Sequence, residues 1–275
     1  SDGFSLGSDA STNASGDAIV GWNWLASNTT ASNTDGSITS TVSANTTAGF
    51  SIVSYTGTTV SGATIGHGLG AVPSMIITKN RTLSGSGFGN WVVYHKSLDA
   101  SAPEDKFLLL NLTNAVGDST GAWNDTAPTS SVFTVGNFDS TNGDEPMIAY
   151  CFAEKKGYSK FGSYTGNGST DGTFVYTGFK PAFVMIKHDN ASYSDSWIMM
   201  DNTRNTFNVI DDNLKADLSN AEETNSSTIA IDFLSNGFKC RGTNTQINRS
   251  GDPYYFMCFA QNPLVGTNNI PATAR

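Results

Sequence analysis

Three histidines and 24 acidic side chains are the groups with which this chain could move protons. Nucleophilic catalysis needs a base beside its nucleophile, and zinc needs ligands at short recurring spacings. His67, His95 and His188 lie far apart and meet neither pattern. Paired carboxylates would serve a polysaccharide depolymerase. Asp17, Asp144 and Asp252, however, each follow a glycine, where Asp is favoured by turn geometry. Asp139 to Glu145 and Asp211-Asp212-Asn213 are rich in oxygen ligands for calcium, without EF-hand spacing. Gly66-His67-Gly68-Leu69-Gly70 precedes Pro73 and a strand pattern, whereas a phosphate cradle needs a helix N-terminus. Aromatic rings in polar loops can stack on sugars, and Trp123, Tyr193 and Tyr254 are the candidates. Their competing role is ordinary packing.

The elements that must position these residues are written more than once. Ser54-Tyr55-Thr56-Gly57 returns as Ser163-Tyr164-Thr165-Gly166, and Pro73 with Met75 to Lys79 returns as Pro181 with Phe183 to Lys187. Trp91-Val92-Val93 returns as Trp197-Ile198-Met199. A repeat of about a hundred residues is a whole small domain. The ends of both copies also match residues 4–26: Phe4 to Gly7 parallels Phe133 to Gly136 and Phe238 to Arg241. Gly21-Trp22-Asn23-Trp24 parallels Ala149 to Phe152 and Phe256 to Phe259. None of the histidines is kept between copies, so each reads as structural or surface. Cys151 and Cys258 align with each other and with Asn23, while Cys240 aligns with Val135 and Leu6. Buried thiols are the reading, with a Cys240–Cys258 bridge left open.

Hydrophobic residues make up 38% of the 275 residues and charged residues only 14%, with turn formers between short apolar runs. That composition predicts many short strands rather than helices. A net charge of −9 argues against nucleic-acid binding, which needs clustered Lys and Arg. No apolar run reaches the roughly 20 residues of a membrane-spanning helix, so no membrane insertion is expected.

The predicted fold class is all-β, as tandem antiparallel β-sandwich modules preceded by the closing hairpin of a truncated upstream module. Residues 1–26 are that hairpin, 27–48 a Ser/Thr/Asn-rich connector, 49–157 the first module, 158–265 the second and 266–275 a tail. Strands are expected near 50–56, 73–79, 91–95, 106–111, 131–136 and 146–153. The second copy has them near 160–165, 173–177, 182–187, 196–200, 206–210, 229–234, 237–241 and 253–260. Only 211–221 is a candidate helix.

Gly49 to Gly57, Gly66 to Gly70 with Pro73 and Met75 to Lys79, Trp91 to His95, Ala149 to Glu154, Ser159 to Gly168, Asp232 to Phe238 and Pro271 to Arg275 resemble a repeated domain of marine bacteriophage tail-fibre and virion structural proteins. The resemblance implies a virion component, outside the cell after release, with no catalytic motif and no cofactor. It implies the distal part of a fibre or appendage that attaches to a host-surface glycan. The alternative is a decoration or spacer binding only other virion proteins. Fibres of this kind are commonly trimers, so self-association is expected.

Overall fold

The computed structural model describes residues 3–83 and 89–262, so the expected 266–275 tail lies outside the described residues. The chain is nearly all β. In the first part the strands are β1 (Ala31–Asn33), β2 (Ser40–Asn45), β3 (Phe50–Thr56), β4 (Ala63–Gly66), β5 (Met75–Asn80), β6 (Trp91–His95), β7 (Lys106–Leu109), β8 (Gly117–Asp118), β9 (Val132–Val135) and β10 (Pro146–Phe152). Then follow β11 (Ser159–Thr165), β12 (Phe174–Tyr176), β13 (Pro181–His188), β14 (Ile198–Asp201), β15 (Leu214–Lys215), β16 (Ile231–Leu234), β17 (Gly237–Cys240) and β18 (Pro253–Ala260). Among the described residues a 3-10 turn (Pro103–Asp105) and four single α-helical turns punctuate them: α1 (Ala10–Asn13), α2 (Thr120–Trp123), α3 (Asp139–Asn142) and α4 (Thr245–Asn248). No helix among the described residues is long and apolar enough to cross a membrane.

The larger sheet runs β1-β2-β3-β10-β5-β6-β7-β8, and a five-stranded sheet runs β11-β18-β13-β14-β15. The order β3-β10-β5-β6-β7 and the order of the five-stranded sheet have the same connections, and every pairing is antiparallel. Each large sheet carries a small one on one face, β4-β9 on the first and β12-β17-β16 on the second. Val53, Tyr55, Ile76, Val92, Met147 and Cys151 meet Ile65, Phe133 and Val135 in the first sandwich core. Val184, Ile186, Ile198, Phe256 and Cys258 meet Val175, Ile231, Phe233 and Phe238 in the second.

The opposite faces of the two large sheets pack on each other. Phe50, Met75, Ile77, Val93, Leu108 and Phe152 meet Phe161, Phe183, Met185, Trp197, Met257 and Phe259. The layers therefore run small, large, large, small. Neighbouring side chains on a strand point to opposite faces. With both faces covered, Met75-Ile76-Ile77 and Phe183 to Ile186 are continuous apolar runs, unlike the alternation of a half-solvated antiparallel sheet.

Several expectations need correcting. The segment 27–48 is not a loose connector: β2 pairs with β3, β1 pairs with β2, and Ile38 bridges Ile65. Its Ser/Thr/Asn composition hides the strands because Ile38, Ser40 and Val42 are its only buried side chains. Residues 3–26 contain no strand and no hairpin; α1 and extended chain replace it. No strand forms at 206–210, although Ile210 bridges Ile231, and 211–221 holds β15 instead of a helix. All three cysteines are buried and free, so Cys240 and Cys258 are not bridged.

A buried asparagine closes each sandwich. Asn142 Nδ2 donates to Gly136 O at 2.7 Å and Val60 O at 2.9 Å, while its Oδ1 accepts from Thr58 N–H at 2.9 Å. Asn248 does the same with Gly242 O at 3.0 Å, Ser169 O at 2.8 Å and Asn167 N–H at 3.0 Å. Beside it, Tyr55 Oη donates to Thr141 O and Tyr164 Oη to Ile247 O, both at 2.6 Å. The glycine of the repeated Ser-Tyr-Thr-Gly is then forced. A Cβ on Gly57 would lie 2.1 Å from Gly143 O, and one on Gly166 2.2 Å from Arg249 O.

Removing the amide strands several buried backbone groups, each worth about 1–3 kcal/mol when left unpaired. We expect Asn142→Ala and Asn248→Ala each to cost about 2–4 kcal/mol in urea unfolding, and Tyr55→Phe about 1 kcal/mol. An unchanged midpoint in both alanine variants would remove the clamp from the account.

Candidate functional site

Of the three rings expected to stack on sugars, two are inside the protein. Trp123 is 2% exposed, edge-on to Tyr94 at 6.0 Å, and its Nε1–H has no partner among the described residues. Tyr254 is fully buried, stacked between Tyr164 at 4.9 Å and His188 at 4.7 Å. Its hydroxyl donates to Thr245 O and accepts from Arg249 N–H. Tyr193 is half-buried, with the Arg249 guanidinium 4.5 Å from its ring centre. The structure does not bring the three together as one platform: Tyr193 and Tyr254 flank His188, while Trp123 belongs to the core of the other sandwich.

The histidines are all buried. His188 Nδ1 is 2.5 Å from Asp195 Oδ2 and its Nε2 is 2.9 Å from Asp252 Oδ2. Asp252 also accepts from Asn190 and Arg249 at 2.9 Å each. Both ring nitrogens are therefore engaged, which leaves neither for a nucleophile. Asn80, the aligned residue in the first sandwich, likewise ties its strand end to Asp139 O, at 3.1 Å. His188 thus does with two carboxylates what Asn80 does with an amide. His67 faces Thr129 O at 3.2 Å through Nε2 and accepts from Leu69 N–H. Asp211 and Asp212, read as possible calcium ligands, both accept from Asn205. No group of three His, Cys, Asp or Glu among the described residues could hold a metal ion.

The surface with binding character lies instead along the seam between the two large sheets. A cavity of about 370 Å³ opens there, lined by Trp22, Trp24, Ile52, Tyr150, Phe183, Met185, Met199 and Met257 among others. That volume is at the lower end of small-molecule sites, and the lining is apolar throughout apart from Asn23. Trp24 sits edge-on to Phe152, Phe183 and Phe259 at 5.4–6.3 Å, and Trp22 to Phe183 at 5.5 Å. Such pairs add about 0.5–1.5 kcal/mol each beyond area burial. Trp22 Nε1 donates to Asp201 Oδ2 at 3.2 Å, and Arg204 bonds the same oxygen at 2.7 Å while lying over the indole at 5.7 Å. Chemically the cleft can hold aromatic or aliphatic groups and has one ion pair at its rim. Sequence reasoning named none of these residues as a site, although Trp22 and Trp24 recur as Tyr150 and Phe152 and as Met257 and Phe259.

Polar ties cross the seam around this apolar centre. Lys187, fully buried, donates to Thr113 O at 2.9 Å and to Asp195 O at 2.5 Å. Burial pushes its amine down to about 8 against the pull of Asp217, Asp195 and Asp189. Trp197 Nε1 donates to Leu109 O at 2.9 Å, and Tyr255 Oη to Leu98 O at 3.2 Å. Glu154 takes Lys160 at 2.8 Å and Lys96 at 2.5 Å. His95 of the first sandwich reaches Phe256 O of the second at 3.1 Å through Nε2, and accepts from Ser97 N–H through Nδ1. Burial lowers its imidazole to about 4, overriding the carbonyl bond that favours the proton.

A neutral buried histidine makes the seam acid-sensitive. Above pH 6.5 neither the folded nor the unfolded ring is charged, and the group is neutral toward stability. As pH falls from 6.5 to 4, the unfolded ring takes a proton that the folded one refuses, so stability drops. The expected loss is about 3 kcal/mol across that window, read from urea midpoints. His95→Gln should keep the carbonyl bond and flatten the window; an identical pH profile in the variant would remove His95 as the cause.

Residues 1–263 match a protein family described as a domain of unknown function, DUF7483. No curated protein and no solved structure matches the chain. The family match spans both sandwiches and the segment carrying Trp22 and Trp24, so the chain belongs to the DUF7483 family.

Proposed function

We propose that this chain is a non-enzymatic structural component of a bacteriophage particle, a segment of a tail fibre or appendage built from tandem copies of one sandwich module. The observation that carries the reading is the seam. Two sheets of the same strand order stack on their open faces, and a third aromatic pair, Trp22 and Trp24, continues the same stack. An element that buries its neighbour's equivalent face is a device for building along one direction. The Tyr–Gly–Asn closure shared by both sandwiches supports the copying of a scaffold. Partners are then other virion proteins and further copies of the chain, in oligomers such as the trimers that the resemblance implies.

Attachment to a host-surface glycan is a second reading, with one observation in its favour. Tyr193 is half-buried under Arg249 on a loop beside Asn190, a ring with polar groups at its edge. Two measurements separate the readings. Antibody labelling of intact particles under the electron microscope should place the chain on a fibre or appendage; labelling confined to the host cell would overturn both. On a glycan array the purified chain should bind a defined glycan, lost in Tyr193→Ala, if it attaches to the host. A blank array leaves the structural role alone standing.

A further inference from the structure

We infer that residues 3–26 are an acceptor site for a strand, from outside residues 1–275, that carries the turn Ser-Tyr-Thr-Gly. The inference rests on the tandem-copy reading above. It starts from Asn13, whose Nδ2 donates to Gly7 O at 2.6 Å, six residues back. Asn142 and Asn248 make the same bond to Gly136 and Gly242, also six residues back. The helical turn before each asparagine is matched too. Asn13 N–H donates to Asp9 O at 2.9 Å, as Asn142 does to Phe138 O and Asn248 to Asn244 O.

In the two closed sandwiches the remaining groups of this motif are taken up by the Ser-Tyr-Thr-Gly strand. The tyrosine hydroxyl donates to the carbonyl before the asparagine, and the residue after the glycine donates its N–H to the amide oxygen. At the N-terminal copy those acceptors, Thr12 O and Asn13 Oδ1, have no partner among the described residues. The apolar side chains tell the same story. Phe4 is 65% and Leu6 48% exposed, while their counterparts Phe133, Val135, Phe238 and Cys240 are at most 1% exposed. Ile19, aligned with the fully buried Met147, is 52% exposed.

Gly7 sharpens the point. A Cβ on Gly136 or Gly242 would strike Thr120 O or Thr228 O at 2.3 and 1.8 Å, so packing demands glycine there. A Cβ on Gly7 would meet nothing within 4 Å. The segment thus keeps a close-approach glycine with nothing approaching it. Meanwhile its other face is engaged, since Trp22 and Trp24 pack against the rings of the seam. Half of a sandwich core is presented with its docking face outward. The chain's own two strands of the required type, β3 and β11, are bound in their own sheets. The occupant is therefore a strand from outside residues 1–275, added by backbone pairing with a tyrosine and glycine fixing its register.

The test uses a fluorescent peptide with the sequence of residues 49–60, titrated into the full chain and followed by anisotropy. Saturable binding is expected, with hydrogen-exchange protection gained within residues 4–20. Asn13→Ala in the chain, and phenylalanine in place of the tyrosine in the peptide, should each weaken binding at least tenfold. Leu6→Ser should weaken it independently of the clamp. Binding that is absent, or indifferent to Asn13→Ala and protecting other residues, overturns the inference. Failure of the proposed function would look different: labelling confined to the host cell would overturn that reading and leave the peptide titration unaffected.

Discussion

An amide buried at the end of each sandwich is the constraint on which the remaining architecture depends. Asn142 and Asn248 have no water to bond, so each must find protein partners for both amide protons and its oxygen. Those partners come from places far apart in sequence: the loop after the tyrosine strand, and the glycine six residues earlier. The bonds can form together only if the first and last strands of a sandwich lie side by side and the small sheet sits above them. One side chain therefore reports on the whole topology. Its demands also explain the glycines, because backbone must approach backbone where the clamp closes.

Closing the two sandwiches separately leaves each large sheet with an apolar outer face, and the seam is the consequence. Aromatic rings from β3, β10, β11, β13 and β18 cover one another there, while His95, Lys187, Trp197 and Tyr255 send hydrogen bonds across. The rings supply nondirectional burial; the polar ties reach particular backbone carbonyls and so favour one relative placement of the sheets. Burying a lysine or a histidine in this way has an electrostatic cost, visible in the lowered proton affinity of both. That cost is placed where it selects one packing of the two halves.

Much of this was legible in the residues, and the illegible part has a physical pattern. Strands with both faces buried announce themselves as apolar runs, so β5, β10, β13 and β18 fall where Met75 to Lys79, Ala149 to Phe152, Phe183 to Lys187 and Phe256 to Phe259 predict. Strands β1 and β2 are silent, because Ala31 to Asn33 and Ser40 to Asn45 contribute backbone and almost no apolar surface. Helical turns of four residues are too short to carry a period. Trp123 and Tyr254 were misjudged for a related reason: a ring beside Asn and Asp in sequence looks solvated, yet both are buried, Tyr254 with its hydroxyl bonded to the backbone of Thr245 and Arg249. The clamp was visible as Gly7 and Asn13, Gly136 and Asn142, Gly242 and Asn248. In a chain so rich in glycine and asparagine, spacing without burial could not single it out.

The N-terminal segment is where the same physics gives two different answers on two faces. Its tryptophans are half-buried against the rings of the seam; its Phe4, Leu6 and Ile19 are exposed. A random extended tail would not sort its apolar residues by the face they occupy in a sandwich. Nor would it hold the Asn13–Gly7 bond in water, where solvent competes for both groups. The helical turn capped by Asp9 helps to hold it, since the Asp9 carboxylate accepts from Ser11 N–H at 2.8 Å. Local structure alone thus pre-forms half of a tertiary closure. In the two closed sandwiches a long-range strand completes the closure, supplying the hydroxyl and the amide.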